Sequence, residues 1–280
     1  MTDQWRDLTE LELMGSAAEF DHGEAAYPPN LSQRILIAIA RNSLLSRGNM
    51  RKILTRLIIR LGGGKPLDIE FRGCKFRISG RGNLVEYGLL LRDDYNQPDL
   101  DFLLEGLKQG DTFVDIGCNI GLYTLPLARR VGPKGKTICI DANPNMTARL
   151  KWNAQASGLK GISVYTTGVS DISGRANLKM RKNDLAIVRL EESADGHFPV
   201  RTLQSIIEQE NLTKIHALKI DVEGHEDKIL VPFFETSAAE ILPKRIVIES
   251  VQAGCQRVFK QNGYILVGHS KNNQFYLKSD

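Results

Sequence analysis

From Thr112 onward the chain keeps switching between two rhythms, and that switching limits the fold more than any other feature. "TFVDIGC", "KTICIDA", "ISVYTTGVSD", "IHALKIDVE" and "KRIVIES" read as buried strands. Between them, "GLYTLPLARRVG", "PNMTARLKWNAQASG", "VRTLQSIIEQEN" and "GHEDKILVPFFE" carry helical spacing, the first despite Pro126. With connections this short, the pattern predicts an α/β fold: a doubly wound, mostly parallel sheet over residues 111–280. "GYILVG" and "QFYLKS", joined by "HSKNN", predict a closing antiparallel hairpin. The stretch between Gly174 and Pro199 breaks the rhythm and reads as an inserted hairpin near the site.

Three regions precede this core. Residues 66–110 hold an expected hairpin around Arg72-Gly73 and an amphipathic helix over 97–110 that ends at Gly110. Residues 31–61 have helical spacing, with Ser32 as cap, a possible split at Gly48-Asn49 and a stop at the glycines 62–64. Between Leu31 and Lys65 there are eight cations and no acid. This helical N-terminal extension either packs its Leu/Ile stripe on the core or a second subunit, or lies as a basic amphipathic surface on an anionic membrane. Residues 1–30 are acidic, end in "YPPN" and are expected to be poorly ordered.

Composition excludes some functions. A net charge of +4 over 280 residues does not imply a nucleic-acid partner, and none is expected. The four cysteines form no CxxC pair, so neither a zinc ribbon nor a disulfide framework is expected. No apolar run approaches the ~20 residues of a spanning helix, and the acidic start lacks the order of a signal peptide. The expected location is cytoplasmic.

"FVDIGCNIGLYT" (113–124) is a glycine-bearing turn after a strand. A dinucleotide fingerprint aligned on Gly117 would need glycines where Asn119 and Leu122 stand. A phosphate loop of the Walker type would need a Lys-Ser/Thr pair after Gly121. What remains is Asp115, Gly117 and Gly121 in a D-x-G-x-x-x-G arrangement, which suits a sulfonium nucleoside with an ammonium for Asp115 to meet. About twenty residues on, Asp141 ends its strand where a carboxylate accepts bonds from ribose hydroxyls. Asp171, closing "GVSD", is placed to reach an adenine amino group. Taken singly, each acid is also explained as a turn or helix cap.

"FVDIGCNIGLYT", "GVSD" and above all "LKIDVEGHE" (218–226) resemble the FkbM family of class I S-adenosylmethionine-dependent methyltransferases, over roughly residues 85–277. The resemblance implies a Rossmann-like sheet with an antiparallel last strand, and O-methylation of hydroxyls on sugars or small molecules. It implies that Asp115, Gly117, Asn119 and Gly121 hold the methionine part and ribose of S-adenosylmethionine, that Asp141 holds the ribose hydroxyls and that Asp171 sits beside the adenine. Asp141 is shorter than the Glu common in the family, Leu203-Gln204 stands where Leu-Asp is usual, and the first 65 residues are not covered.

Methyl transfer to a hydroxyl needs positioning and a proton acceptor. "KIDVEGHE" ends a strand and offers Asp221, for an ammonium or a proton, and His225, whose unperturbed pKa near ~6.5 suits a base. Glu223, Glu226 and Glu249 are further candidates, and Asp221, Glu223 and Glu249 together also suit a hard cation, although no metal is expected. Asp-Val-Glu-Gly after this strand differs from the proline-aromatic loop of enzymes that methylate base amino groups. The rival readings are a non-catalytic nucleoside-binding module and, opposed by Asn119, an NAD-dependent oxidoreductase.

Overall fold

The computed structural model describes residues 5–7, 26–43, 46, 48, 50–80, 82–181, 184–193 and 195–279. In chain order these form β1 (Trp5–Asp7), α1 (Leu31–Arg41), α2 (Met50–Leu61), β2 (Leu67–Phe71), β3 (Cys74–Ile78), α3 (Leu84–Leu91) and α4 (Gln97–Glu105). The core follows with β4 (Thr112–Ile116), α5 (Thr124–Val131), β5 (Lys136–Asp141), α6 (Pro144–Ala156) and β6 (Ile162–Thr166). Next come β7 (Gly168–Val169), β8 (Gly174–Arg181), β9 (Asp184–Glu192), β10 (Phe198–Arg201) and α7 (Leu203–Gln209). The chain closes with β11 (Ala217–Ile220), α8 (Glu226–Thr236), β12 (Arg245–Ile248), α9 (Ala253–Gln261), β13 (Tyr264–His269) and β14 (Gln274–Lys278).

The seven-stranded sheet has the order β13-β14-β12-β11-β4-β5-β6. All pairs from β12 to β6 are parallel, and β14 runs antiparallel to both of its neighbours. The chain therefore winds outward from β4 to one edge, returns, and winds to the other, as the alternation predicted. The reversal lies between β4 and β11, the position where open α/β sheets take ligands at their carboxyl edge.

Strand alternation divides the core into two layers. Phe113, Cys139, Ala217 and Val247 pack with α3, α4, α5 and α6, whereas Val114, Ile138, Leu218 and Ile246 pack with α7, α8 and α9. The same period puts Asp115 and Lys219 on the first of these faces, and they are direct partners across the β4–β11 register. All four cysteines are buried and unpaired. Among the described residues no helix is long and apolar enough to cross a membrane.

Several local expectations change. "ISVYTTGVSD" is not one strand: β6 stops at Thr166, and β7 leaves to pair with β10 in a second sheet. That sheet also holds β8, β9 and β1, so the inserted hairpin is its framework. α4 ends at Glu105, capped by Gly106, and not at Gly110. Asn30, not Ser32, caps α1, through a reciprocal pair with Gln33. The expectation for residues 1–30 lies outside the described residues, apart from β1 and 26–30. Sequence periodicity missed α3 because it is apolar all round, with six of its eight residues buried.

α1 and α2 are an antiparallel pair, tied where Gln33 Nε2 donates to Ile58 O at 2.9 Å and Asn30 Nδ2 to Leu61 O at 3.0 Å. Each helix buries one side on the core, Ile37 and Ala40 on α1 and Leu54, Ile58 and Ile59 on α2. Turned away from those sets, Leu31, Ile35, Ile39, Ile53, Leu57 and Leu61 are between 43% and 72% exposed.

Candidate active site

The ends of β4, β5, β11 and β12 open into one cleft of about 790 Å³, within the range of small-molecule sites. Its floor begins with the turn after β4. Gly117 N and Cys118 N donate to Ile140 O at 2.8 and 3.2 Å, and Asn119 N donates to Asp141 Oδ2 at 2.8 Å. Gly117 (φ 79°), Asn119 (φ 50°) and Gly121 (φ 97°) are all left-handed. A Cβ on Gly117 would lie 1.9 Å from Asp221 O, so only glycine lets the turn pass this close to the end of β11.

Asp141 lines the cleft and takes one backbone donor on each oxygen, Asn119 N on Oδ2 and Asn143 N on Oδ1. Burial pushes its carboxyl up to about 6, partly offset by those two amides. A carboxylate oxygen has room for a second bond, so both remain acceptors for a diol.

Asp115 is placed differently from its neighbours in the motif. It is fully buried, lies beneath the cleft, accepts Thr124 Oγ1 at 2.6 Å on Oδ2, and leaves Oδ1 without a partner. Burial raises its carboxyl to about 6 against the pull of Lys219. Lys219 lines the cleft floor, almost wholly buried, with Nζ 2.8 Å from Asp221 Oδ2 and 5.1 Å from the Tyr123 ring centre. Against the cost of burial, the charges of Asp221 and Asp115 push its ammonium up. Sequence reasoning missed Lys219, although a lysine between Leu218 and Ile220 in a core strand was itself a signal.

Asp221 and Glu249 follow β11 and β12, which are in direct register at Ile220 and Ile248. Burial alone would raise the Asp221 carboxyl, but the Lys219 ammonium and a hydrogen bond with Glu249 hold it below the usual carboxylate range. Burial and the Asp221 contact push Glu249 up to about 8. Asp221, Glu223 and Glu249 do converge, with ligand atoms within 4.8 Å of one another. The Lys219 ammonium pairs with one Asp221 oxygen of this cluster.

His225 caps α8 and lines the cleft, with Nε2 3.1 Å from Ser170 Oγ, which donates to Asp171 Oδ1 at 2.9 Å. Asp171 itself is exposed and lines a small neighbouring depression with Thr202 and Gln204. Because the chain leaves the main sheet at Thr167, this acid is carried past the cleft wall, and its contact runs through Ser170 to His225. The cleft wall beside Asp141 is formed by Thr167, Gly168 and Val169, with Leu190 from the inserted hairpin. Glu226 is buried and accepts Val222 N at 3.3 Å, a structural tie across the tight turn at Gly224.

Residues 115–267 match the family described as "Methyltransferase FkbM domain". The hexuronic acid methyltransferase AglP of Haloferax volcanii is 26% identical over 170 residues, covering 59% of this chain and 67% of that protein. The 23S rRNA (uracil(1939)-C(5))-methyltransferase RlmD of Acinetobacter baumannii is 37% identical over 60 residues; the match spans 21% of this chain and 13% of that relative's length. A solved SAM-dependent O-methyltransferase from Thermotoga maritima has a TM-score of 0.41 and 14% identity, covering 67% of this chain and 71% of that one.

Proposed function

The chain belongs to the FkbM family of methyltransferases, and from that premise we propose that it methylates a hydroxyl of a sugar or sugar-like acceptor with S-adenosylmethionine as donor. The residues present fit this cofactor: the left-handed turn from Gly117 to Gly121 runs so close to Asp221 O that only glycine fits at 117, and Asp141 beside it keeps acceptor capacity for a diol. S-adenosylmethionine bound there supplies a methyl group on a sulfonium centre. Gly117, Asn119 and Gly121 hold the donor's methionine part and ribose, and Asp141 accepts from the ribose hydroxyls. Asp115 acts from below, as a counter-charge to Lys219.

The observation that carries hydroxyl methylation is the chain from Asp171 through Ser170 to His225, which aims an imidazole into the same cleft as the donor turn. His225 takes the proton that the acceptor hydroxyl gives up. Asp221 is the weaker base because Lys219 holds it ionised; it orients the acceptor or the donor's ammonium. The sugar class rests on the likeness to a hexuronic acid methyltransferase. Calorimetry with S-adenosylhomocysteine tests the donor: no binding defeats the reading. His225→Ala is expected to cut turnover on a responsive sugar by ~10²–10⁴-fold with S-adenosylhomocysteine affinity unchanged; full activity would remove His225 as the base.

The outer face of α1 and α2 suits an anionic lipid surface. Its exposed apolar residues alternate with Arg34, Arg56 and Arg60, which are also exposed, in a stretch without acids. Ser46, Gly48 and Arg51, at the connection of the two helices, line the cleft mouth. Docked by this face, the enzyme holds its acceptor entrance at the membrane surface, within reach of lipid-linked sugars.

A further inference from the structure

Beside the reacting groups, one wall of the cleft is polar, buried and incompletely bonded. Asp99 stands in the first turn of α4 and is 1% exposed. Its Oδ2 accepts two donors, Tyr123 Oη at 2.8 Å and Asn273 Nδ2 at 2.6 Å, and Asn96 Nδ2 donates to Tyr123 Oη at 2.7 Å. Asn273 is 6% exposed and sits in the loop of the closing hairpin. The pairing of Gln274 with Ile248 brings this loop beside Glu249. All four residues line the cleft.

Two oxygens in this network have no hydrogen-bond partner: Asp99 Oδ1 and Asn273 Oδ1. Buried acceptors left unpaired cost stability, and natural structures keep few of them. Here both belong to residues joined by one hydrogen bond, beside the end of β12 that carries Glu249. Each oxygen is an acceptor, so the missing partners are donors. The hydroxyl hydrogen of Tyr123 is spent on Asp99 Oδ2, and Asn96 Nδ2 and Asn273 Nδ2 each place one of their two hydrogens inside the network, none of these on either unpaired oxygen. A ligand in the cleft that brings hydroxyl hydrogens supplies the missing partners.

We infer that Asp99 and Asn273 form an acceptor-binding subsite that takes two hydroxyl groups of a polyol, one on each unpaired oxygen. A pyranose with neighbouring hydroxyls has this donor pattern, and an aromatic phenol or a lipid hydroxyl, with a single donor, leaves one oxygen unpaired. The subsite rests on the reading of the chain as a hydroxyl methyltransferase and specifies the substrate as a sugar held by hydroxyls other than the one methylated. Asp99 and Asn273 act in binding and positioning; the proton and the methyl group do not pass through them.

The test uses the full chain saturated with S-adenosylhomocysteine and three probes: D-glucuronate, D-glucose and L-rhamnose, titrated by calorimetry and saturation-transfer NMR. At least one is expected to bind. Asp99→Asn keeps an oxygen for Tyr123 and Asn273 but turns the unpaired acceptor into a donor, so it is expected to weaken that sugar at least about tenfold. Asn273→Ala should act in the same direction. Melting temperature and S-adenosylhomocysteine affinity of Asp99→Asn are expected to stay at wild-type values, which a merely structural role would not allow. Deoxy analogues of the bound sugar sharpen the result: removing the recognised hydroxyl should weaken binding to wild type and change little in Asp99→Asn. Wild-type sugar affinity in both variants overturns the subsite, as does the absence of any sugar binding to the loaded wild type. Failure of S-adenosylhomocysteine itself to bind falls instead on the donor reading.

Discussion

The side of the cleft we assign to the methyl donor comes from one continuous piece of chain, residues 117–121, with Asp141 at the end of the adjacent strand. Another part of the lining gathers Arg51, Asn96, Asp99, Glu249 and Asn273 from separate segments that meet only in the folded molecule. The first is held by backbone, through amides on Ile140 O and Asp141 and by a contact that only glycine permits. The second is held by side-chain hydrogen bonds and keeps two oxygens unpaired. A backbone-built site is intolerant and specific for one ligand; a side-chain-built one can be altered residue by residue.

The largest effect should come from the donor side. Gly117→Ala drives a Cβ into Asp221 O at a φ of 79°, and the melting temperature is expected to fall by on the order of 10 °C with loss of S-adenosylhomocysteine binding. A variant with wild-type melting and affinity would show that the turn is looser than the part of the lining built from side chains. Next in size is a pH effect. Asp141, raised to about 6 by burial and proposed to accept from two ribose hydroxyls, is the full acceptor for both only when ionised. Donor affinity is therefore expected to be constant above about pH 7 and to fall roughly tenfold by pH 5. Isothermal titration of wild type and Asp141→Asn checks this, since the variant should bind weakly and without that slope. The sign for folding is opposite: a carboxyl with a raised folded pKa stabilises the fold at low pH and loses that contribution between its unfolded value and about 6.

The smallest effect on catalysis should come from the outer face of α1 and α2. Replacing Ile35, Ile53 and Leu57 with Ser should abolish flotation with phosphatidylglycerol vesicles and leave turnover on a soluble sugar within about twofold, because surface substitutions leave the core intact. Sedimentation of the wild type as a dimer that ignores the vesicles would assign this face to a second copy.

This contrast also explains what the sequence made legible. The doubly wound, mostly parallel class of the sheet follows from alternating periods, and the turn and Asp141 lie within one strand-turn-helix-strand unit, so local pattern suffices. Asp99 and Asn273 are 174 positions apart and carry no pattern that joins them. The break at Thr167 was hidden because β-branched and glycine residues are compatible with a strand continuing or ending. It displaced Asp171 from the cleft wall to a supporting place behind Ser170. Lys219 was legible only as a charge where a core strand should have none.

The contact between Gly117 and the carbonyl of Asp221 has one more consequence. It sets the turn from Gly117 to Gly121 against the strand end that precedes His225 without room for a side chain between them, so a shift of one has to be matched by the other. Diversification of such an enzyme toward new acceptors is then channelled into the pieces outside that contact: the helical pair, the start of α4 and the closing hairpin. A chain of this kind changes its clientele from the rim inward, while the centre stays as it was.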